Sequence, residues 1–297
     1  MKRKVIQIAN STVLVSLPRK WVIENNIKKG DEVEITEKGK SILIGSEGKP
    51  ENITVEVDYE KLEPLMPKWI YSLYKKGIDT VIVKIKSPEQ VLHIQEALKY
   101  TIGFEIFEHG ANTCTIKSVS SNIEGFDQIL RRTFNLLISL ADETVNALES
   151  GDKGQIANAI ELETVNDRYT TMCRRILNKQ GSETLIGPLY VVVDNIEKIA
   201  DYYMNILKEI HPSQNKKVNT AMLKETNDLL KEFYECYYKY NVKQSAEIMQ
   251  NYKKMVEQYR RKINSSNPDE RIMAHFANNI IDLIRSGIGQ VNLMKLG

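Results

Sequence analysis

The chain has 297 residues, 27% of them charged and 42% hydrophobic, the composition of a folded globular protein rather than a disordered one. At roughly 100–200 residues per domain, that length suggests two or three domains. The net charge is only +2, so contact with nucleic acid has to come from a local basic patch. No apolar run approaches the ~18 residues of a membrane-spanning helix, so no membrane insertion is expected. MKRKVIQIANS is basic but then alternates polar and apolar residues, unlike the continuous apolar stretch of a signal peptide. Cys114, Cys173 and Cys236 lie far apart with no CxxC spacing, which argues against a zinc ribbon or a disulfide framework. A cytoplasmic location fits these features.

Residues 1–48 read as short strands around one small helix. KVIQIAN and STVLVSL are rich in β-branched residues and meet at Asn10-Ser11, a turn signal. Pro18 suits the first turn of a helix, PRKWVIENN. Gly30-Asp31 marks a turn, DEVEIT alternates with period two, and EKGK leads into a last strand, SILIGS. GSEGKP (45–50) then reads as a linker.

Residues 52–119 alternate between strands and helices and predict a small α/β unit. Its strands are ITVEV, DTVIVKI, GFEIFEH and TCTIKSV, and its helices EKLEPLMPKWIYSLYKK and SPEQVLHIQEALKY. Pro64 and Pro67 make the first helix imperfect. Ser87, with Pro88 and Gln90 behind it, is placed to cap the second.

From 121 to 297 the rhythm becomes helical. Ile123, Phe126, Ile129, Leu130, Phe134, Leu137, Leu140, Ala141, Val145 and Leu148 recur at the 3.6-residue period. Breaks at SGDKG, NKQGSE, HPSQN, Tyr240-Asn241 and NSSNPDE divide the region into six helices, long enough for a bundle. Their similar lengths suggest two three-helix repeats, 121–210 and 215–293. The expected fold is therefore multidomain α+β: a small β head, an α/β middle unit and an all-α six-helix bundle.

Forty-eight residues cannot bury a good core alone, and an open four-strand unit leaves edges unpaired. A homodimer that interleaves two amino-terminal copies solves both problems. Residues 1–50 carry 10 Lys and Arg against 6 Asp and Glu, so a dimer would double a basic patch able to meet a DNA duplex through its phosphates. Solvated surface lysines are the alternative. NSTVLVSLPRKWVIENNIKKGDEVEI resembles the AbrB/MazE/SpoVT family of swapped-hairpin DNA-binding domains, over about residues 3–46. The resemblance implies a dimeric β-barrel that binds double-stranded DNA with basic residues of its first strands and adjoining loops. Transition-state regulators of that family carry two arginines late in the helix, where this chain has Val22 and Ile23. Lys2, Arg3, Lys4, Arg19 and Lys20 are therefore the candidate DNA contacts, chosen on charge and place.

ELETVND puts Glu163 and Asp167 four residues apart, on one helix face. VVDNIEKIAD stacks Asp194, Glu197 and Asp201 on one stripe of the next helix. Such spacing repels within an isolated helix. A short connection makes the two helices antiparallel neighbours, so five carboxylates can face one another. A divalent or ferric ion would remove the repulsion. Pairing with Arg168, Arg174 or Lys198 would do so too. ELETVNDRY followed by VVVDNIEKIADYYMNI resembles the PhoU family of phosphate-uptake regulators, two three-helix repeats with E/DxxxD motifs, some of which bind metal clusters there. Glu163 with Asp167, and Glu197 with Asp201, match that motif. The second copy departs from it, with Asn278, Ile281 and Arg285 in the corresponding places.

His93, His109, His211 and His275 are scattered, and no GxGxxG, Walker-type or GxSxG pattern occurs, so no enzyme is expected. The tyrosine run YECYYKY (234–240) reads as helix packing. The expected protein is a DNA-binding transcriptional regulator with a PhoU-like sensing bundle, linked to phosphate homeostasis. An adaptor that docks on a phosphate transporter ATPase or sensor kinase is the alternative, and a metal-dependent enzyme a more distant one.

Overall fold

A computed structural model describes residues 2–8, 12–38, 41–46, 52–119, 125–180, 185–212 and 217–296. The fold is mixed α+β, with small amino-terminal hairpins and a large helical region. It divides into two compact units, Met1–Asn52 and Ile53–Gly297.

In the first unit, β1 (Val5–Gln7) and β2 (Val13–Val15) pair antiparallel with Ile6 opposite Leu14. The Asn10-Ser11 turn lies outside the described residues. Pro18 takes the position just before α1 (Arg19–Glu24) rather than its first turn, and its carbonyl accepts from Val22 N at 3.0 Å. Asn26 follows the helix with φ of 53°, a left-handed conformation that Asn tolerates. The turn at 28–31 closes through Asp31, whose carboxylate accepts from Lys28 N at 2.7 Å. Gly30 takes φ of 102° there, open to glycine at no steric cost. β3 (Val33–Lys38) and β4 (Ser41–Ser46) then pair antiparallel, Lys38 opposite Ser41. Their connection at 39–40 and residues 47–51 of the linker lie outside the described residues.

The second unit opens with a four-stranded sheet of order β5-β6-β8-β7, comprising β5 (Thr54–Asp58), β6 (Thr80–Lys84), β7 (Phe104–His109) and β8 (Thr113–Ser118). β5 runs parallel to β6, and β8 antiparallel to both β6 and β7. Alternation sends Val81 and Val83 inward, paired with Ile116 and Cys114. They pack with Ile70 and Tyr74 of α3 (Met66–Lys76) and Ile94 of α4 (Pro88–Leu98). The first expected helix is two: α2 (Tyr59–Leu62) ends before Pro64, and Pro67 lies in the first turn of α3, where its missing N–H costs nothing. Ser87 precedes α4 but its hydroxyl makes no capping bond; Gln90 instead accepts from Lys86 N at 2.7 Å.

Six long helices follow: α5 (Phe126–Ser150), α6 (Lys153–Gln180), α7 (Ile186–Ile210), α8 (Ala221–Tyr238), α9 (Val242–Lys262) and α10 (Pro268–Lys295). Three of the boundaries have a local cause in glycine or a capping side chain. Gly151 ends α5 in a left-handed conformation, and the carboxylate of Asp152 caps the Gly154 and Gln155 amides of α6. Asn241 caps Lys243 and Gln244 of α9, and Asn267 caps Asp269 of α10. α5, α6 and α7 pack on one another, as do α8, α9 and α10, and the two groups meet along α7–α10 and α5–α8. One continuous core runs through them, including Phe134, Ile196, Tyr203, Phe233 and Ile284. Gly287 lets α10 approach α8: a Cβ there would lie 2.4 Å from Phe233 Cζ.

The α/β part is locked to α6. Arg175, only 1% exposed, donates to Tyr74 O at 2.9 Å, Ile78 O at 2.7 Å and Asp79 Oδ1 at 2.7 Å. Lys179 bonds the same carboxylate at 2.5 Å, and Asn178 caps Lys75 O. Asp79 also accepts from Ile53 N at 3.3 Å, so one carboxylate joins α6 to the start of β5.

Candidate nucleic-acid interface and carboxylate cluster

In the amino-terminal unit no described residue is buried. Both faces of the first hairpin are open: Ile6 is 56% exposed and Val13 60%. Ile23, Ile35 and Ile42 are exposed as well. So much unpaired apolar surface on so few residues marks a unit whose core is completed by something else. Lys2, Arg3 and Lys4 lead into β1, and Arg19 and Lys20 form the first turn of α1; all five are exposed. Lys20 lies 3.7 Å from Glu24, a weak exposed pair that leaves the lysine accessible.

The carboxylates lie in the second unit on the facing sides of α6 and α7, and the structure sorts them into two sets. Glu163, Asp167 and Asp201 each place an oxygen within 4.8 Å of the others, the one such trio among the described residues. Asp194 and Glu197 turn instead to Arg174. Its Nε and Nη2 lie 2.9 and 2.6 Å from Asp194 Oδ1, and Nη2 also donates to Glu197. The Arg174 side chain is only 5% exposed.

The trio is electrostatically strained. Burial, then the charges of Glu163, Glu197 and Asp201, push the Asp167 carboxyl up to about 7. Burial and the charge of Asp201 raise Glu163, and burial with Glu197 raises Asp201, while Lys208 draws both of these back down. Asp167 Oδ1 is sealed from solvent and has no hydrogen-bond partner among the described residues. Burial alone would lower the Arg174 guanidinium, but its bonds to Glu197 and Asp194 outweigh this and hold it above its usual value. Among the described residues, the second half of the bundle has no equivalent trio. Ile281 is wholly buried, so it does not stand where Glu197 does. The acid on that face is Asp282, which accepts from Tyr252 at 2.6 Å and from Asn278 at 3.3 Å.

Sequence reasoning missed Arg175 and Asp79. Their signal would have been an arginine next to a helical core position, which hydropathy counts as surface. Arg174 was one of three cations considered, and it is the one that reaches the stripe.

Exposed, basic hairpins around a short helix make up the amino-terminal unit. Residues 6–52 match the family model described as antidote-toxin recognition MazE, bacterial antitoxin. The match supports a swapped-hairpin DNA-binding domain at the amino terminus, and with it a DNA-binding, regulatory role. No curated protein and no solved structure matches the chain. Among the described residues, no helix is long and apolar enough to cross a membrane.

Proposed function

We propose that the protein is a homodimeric transcriptional regulator that grips DNA with its amino-terminal unit and carries a cation-binding, PhoU-like helical region tied to phosphate homeostasis. The observation that carries this reading is the basic, coreless hairpin unit matching a MazE-type model. One chain supplies two separate two-stranded sheets. A second copy interleaved with them would close the barrel and cover Ile6, Val13 and Leu14. Lys2, Arg3, Lys4, Arg19 and Lys20 from both copies would then flank one duplex and neutralise phosphates.

Gel shifts at several salt concentrations on the protein's own promoter region test this. Binding should weaken steeply with salt, with a log–log slope of about −0.9 per phosphate neutralised. The variant R19A/K20A should bind more weakly at every salt concentration, with a slope shallower by about two to four. A chain that dimerises but shows no salt-dependent binding overturns the regulator reading and favours an adaptor.

The link to phosphate rests on the likeness of ELETVNDRY and VVVDNIEKIADYYMNI to the PhoU motifs. A cation fits the trio chemically. All three donors are carboxylate oxygens, which suit hard ions such as Mg²⁺, Mn²⁺, Ca²⁺ or ferric iron. The sealed, unpartnered oxygen of Asp167 is one an ion would satisfy. Metal content of the purified protein should fall in a Glu163/Asp167/Glu197/Asp201 alanine variant. Equal content in both proteins would remove the cation from this reading.

A further inference from the structure

α6 carries Arg168, Arg174 and Arg175 within about two turns. Arg174 holds Asp194 and Glu197, and Arg175 holds Asp79 and two carbonyls. Arg168 is half-buried as well, yet its side chain makes no hydrogen bond and no ion pair with any described residue, and its Nε is sealed without a partner. A charge drawn out of water is ordinarily paired. Asp167, next in the chain, does not pair with it. Successive residues point about 100° apart around a helix, and the arginine whose charge reaches Asp167 is Arg174.

Arg168 instead lines a cavity of about 340 Å³ together with Gln95, Lys99, Thr101 and the first residues of β7. The volume suits a small ligand somewhat larger than a bare ion. The other long polar side chains here, Gln95 and Lys99, are donors too. Lys99 is paired only with Glu96, 2.7 Å away and exposed like the lysine itself, a pairing too weak to withhold it. The end of α4 would repel an anion if its carbonyls were bare, but Leu98 O accepts from Thr101 N at 3.0 Å and from Thr101 Oγ1 at 2.9 Å, and Ala97 O from Tyr100 N at 3.3 Å. The one acid along the wall is Glu105. Its neighbours Phe104 and Ile106 pack into the core, so strand alternation sends Glu105 to the other face of the sheet, where Lys117 stands opposite it. The groove is therefore lined by donors under a net positive charge, and it lacks an acceptor for its best one.

We propose that this groove binds a small phosphate-bearing anion, anchored by the guanidinium of Arg168, with Lys99 and Gln95 as further donors. The planar fork of a guanidinium matches two oxygens of a phosphate. Donors arriving from α6 and from α4 suit an anion with more than two acceptor oxygens. The site depends neither on DNA binding nor on a cation at the carboxylate trio, and either of those can fail without touching it.

The test titrates the full chain with inorganic phosphate and with glycerol phosphate by calorimetry, and follows its melting temperature in each. EDTA is present throughout, so that no metal carries the anion. The wild type should bind one anion per chain that R168Q lacks, and should melt higher with it. R168Q should bind at least about tenfold more weakly and lose the thermal shift. R168K keeps the charge without the fork and should fall between the two, a partial rescue that a merely structural role would not give. K99A should bind roughly two- to fivefold more weakly. K75A/K76A removes two lysines elsewhere on the same unit and should bind as the wild type does. Tighter binding of glycerol phosphate would identify a phosphorylated small molecule as the ligand, and tighter binding of inorganic phosphate the free ion. A wild type that binds neither overturns the proposal whatever the variants do. So does an R168Q that binds as well as wild type, or a K75A/K76A weakened as much as R168Q.

Discussion

Asp167→Asn should stabilise the cation-free protein at pH 8 and leave it nearly unchanged at pH 4. The Asp167 carboxyl is pushed up from 3.8 to about 7, by burial first and then by Glu163, Glu197 and Asp201. A raised carboxyl keeps its proton longer in the folded chain than in the unfolded one. Its contribution is therefore intact below the unfolded value and is lost as pH rises through the folded one. The window runs from about pH 4 to about pH 7. Each pKa unit is worth about 1.4 kcal/mol, so the full penalty would be about 4 kcal/mol. Because the side chain is not wholly buried, about 2 kcal/mol is the effect to expect. Asn removes the charge and keeps the shape, and every other titrating group is common to both proteins. For a unit this large, 2 kcal/mol corresponds to roughly 4–8 °C in melting temperature. Thermal melts in EDTA at pH 4, 6 and 8 would show the difference opening with pH. With saturating Mn²⁺ the order should invert, because an ion at 100 times its Kd adds about 2.7 kcal/mol to the wild type and the variant lacks a ligand. If Asp167→Asn is neutral or destabilising at pH 8 in EDTA, the trio is not the strained cluster described above.

Three further perturbations address the rest of the chain. Arg175→Met leaves Asp79 and the carbonyls of Tyr74 and Ile78 without their buried donor and should cost about 3–5 kcal/mol in urea unfolding of the second unit; a cost under 1 kcal/mol would mean the lock is dispensable. Gly287→Ala forces a methyl to 2.4 Å from Phe233 Cζ and should lower stability by about 1–3 kcal/mol, readable as a lower melting temperature. Leu14→Glu puts a charge opposite Ile6 on the open hairpin and should weaken self-association at least about tenfold; sedimentation at micromolar concentration would then show monomer, and an unchanged dimer would place the interface elsewhere.

The elements themselves were legible because their causes are local. Period-two alternation marked β3, and the 3.6-residue rhythm marked α5. The break before α9 had little glycine or proline to announce it, yet Asn241 is an N-cap that the sequence displays. Ser87 misled for the opposite reason. It has the right type and place, but Gln90 turned to the Lys86 amide, and no reciprocal box formed. Val22 and Ile23, noted for what they are not, are part of the exposed or half-exposed apolar surface of the head. The need for a partner was readable from size alone, since a unit so short has too little interior to fill.

The carboxylate stripe shows where such reading stops. Repulsion among Asp194, Glu197 and Asp201 demands a positive neighbour, and Coulomb's law does not distinguish an ion from an arginine. Both answers fit the spacing; the structure gives Asp194 and Glu197 to Arg174 and leaves Asp201 beside Glu163 and Asp167. The division turns on Arg174 and Arg175, which are consecutive and so point about 100° apart around α6. One reaches across to α7, and the other into the α/β part. Both are nearly inaccessible, at 4% and 1% exposure; carboxylates and carbonyls replace water at Arg175 Nη1 and Nη2 and at Arg174 Nε and Nη2. Two buried arginines side by side look, in any hydropathy pattern, like a solvated face. Here they make α6 the helix that holds both its acidic neighbour and the α/β part.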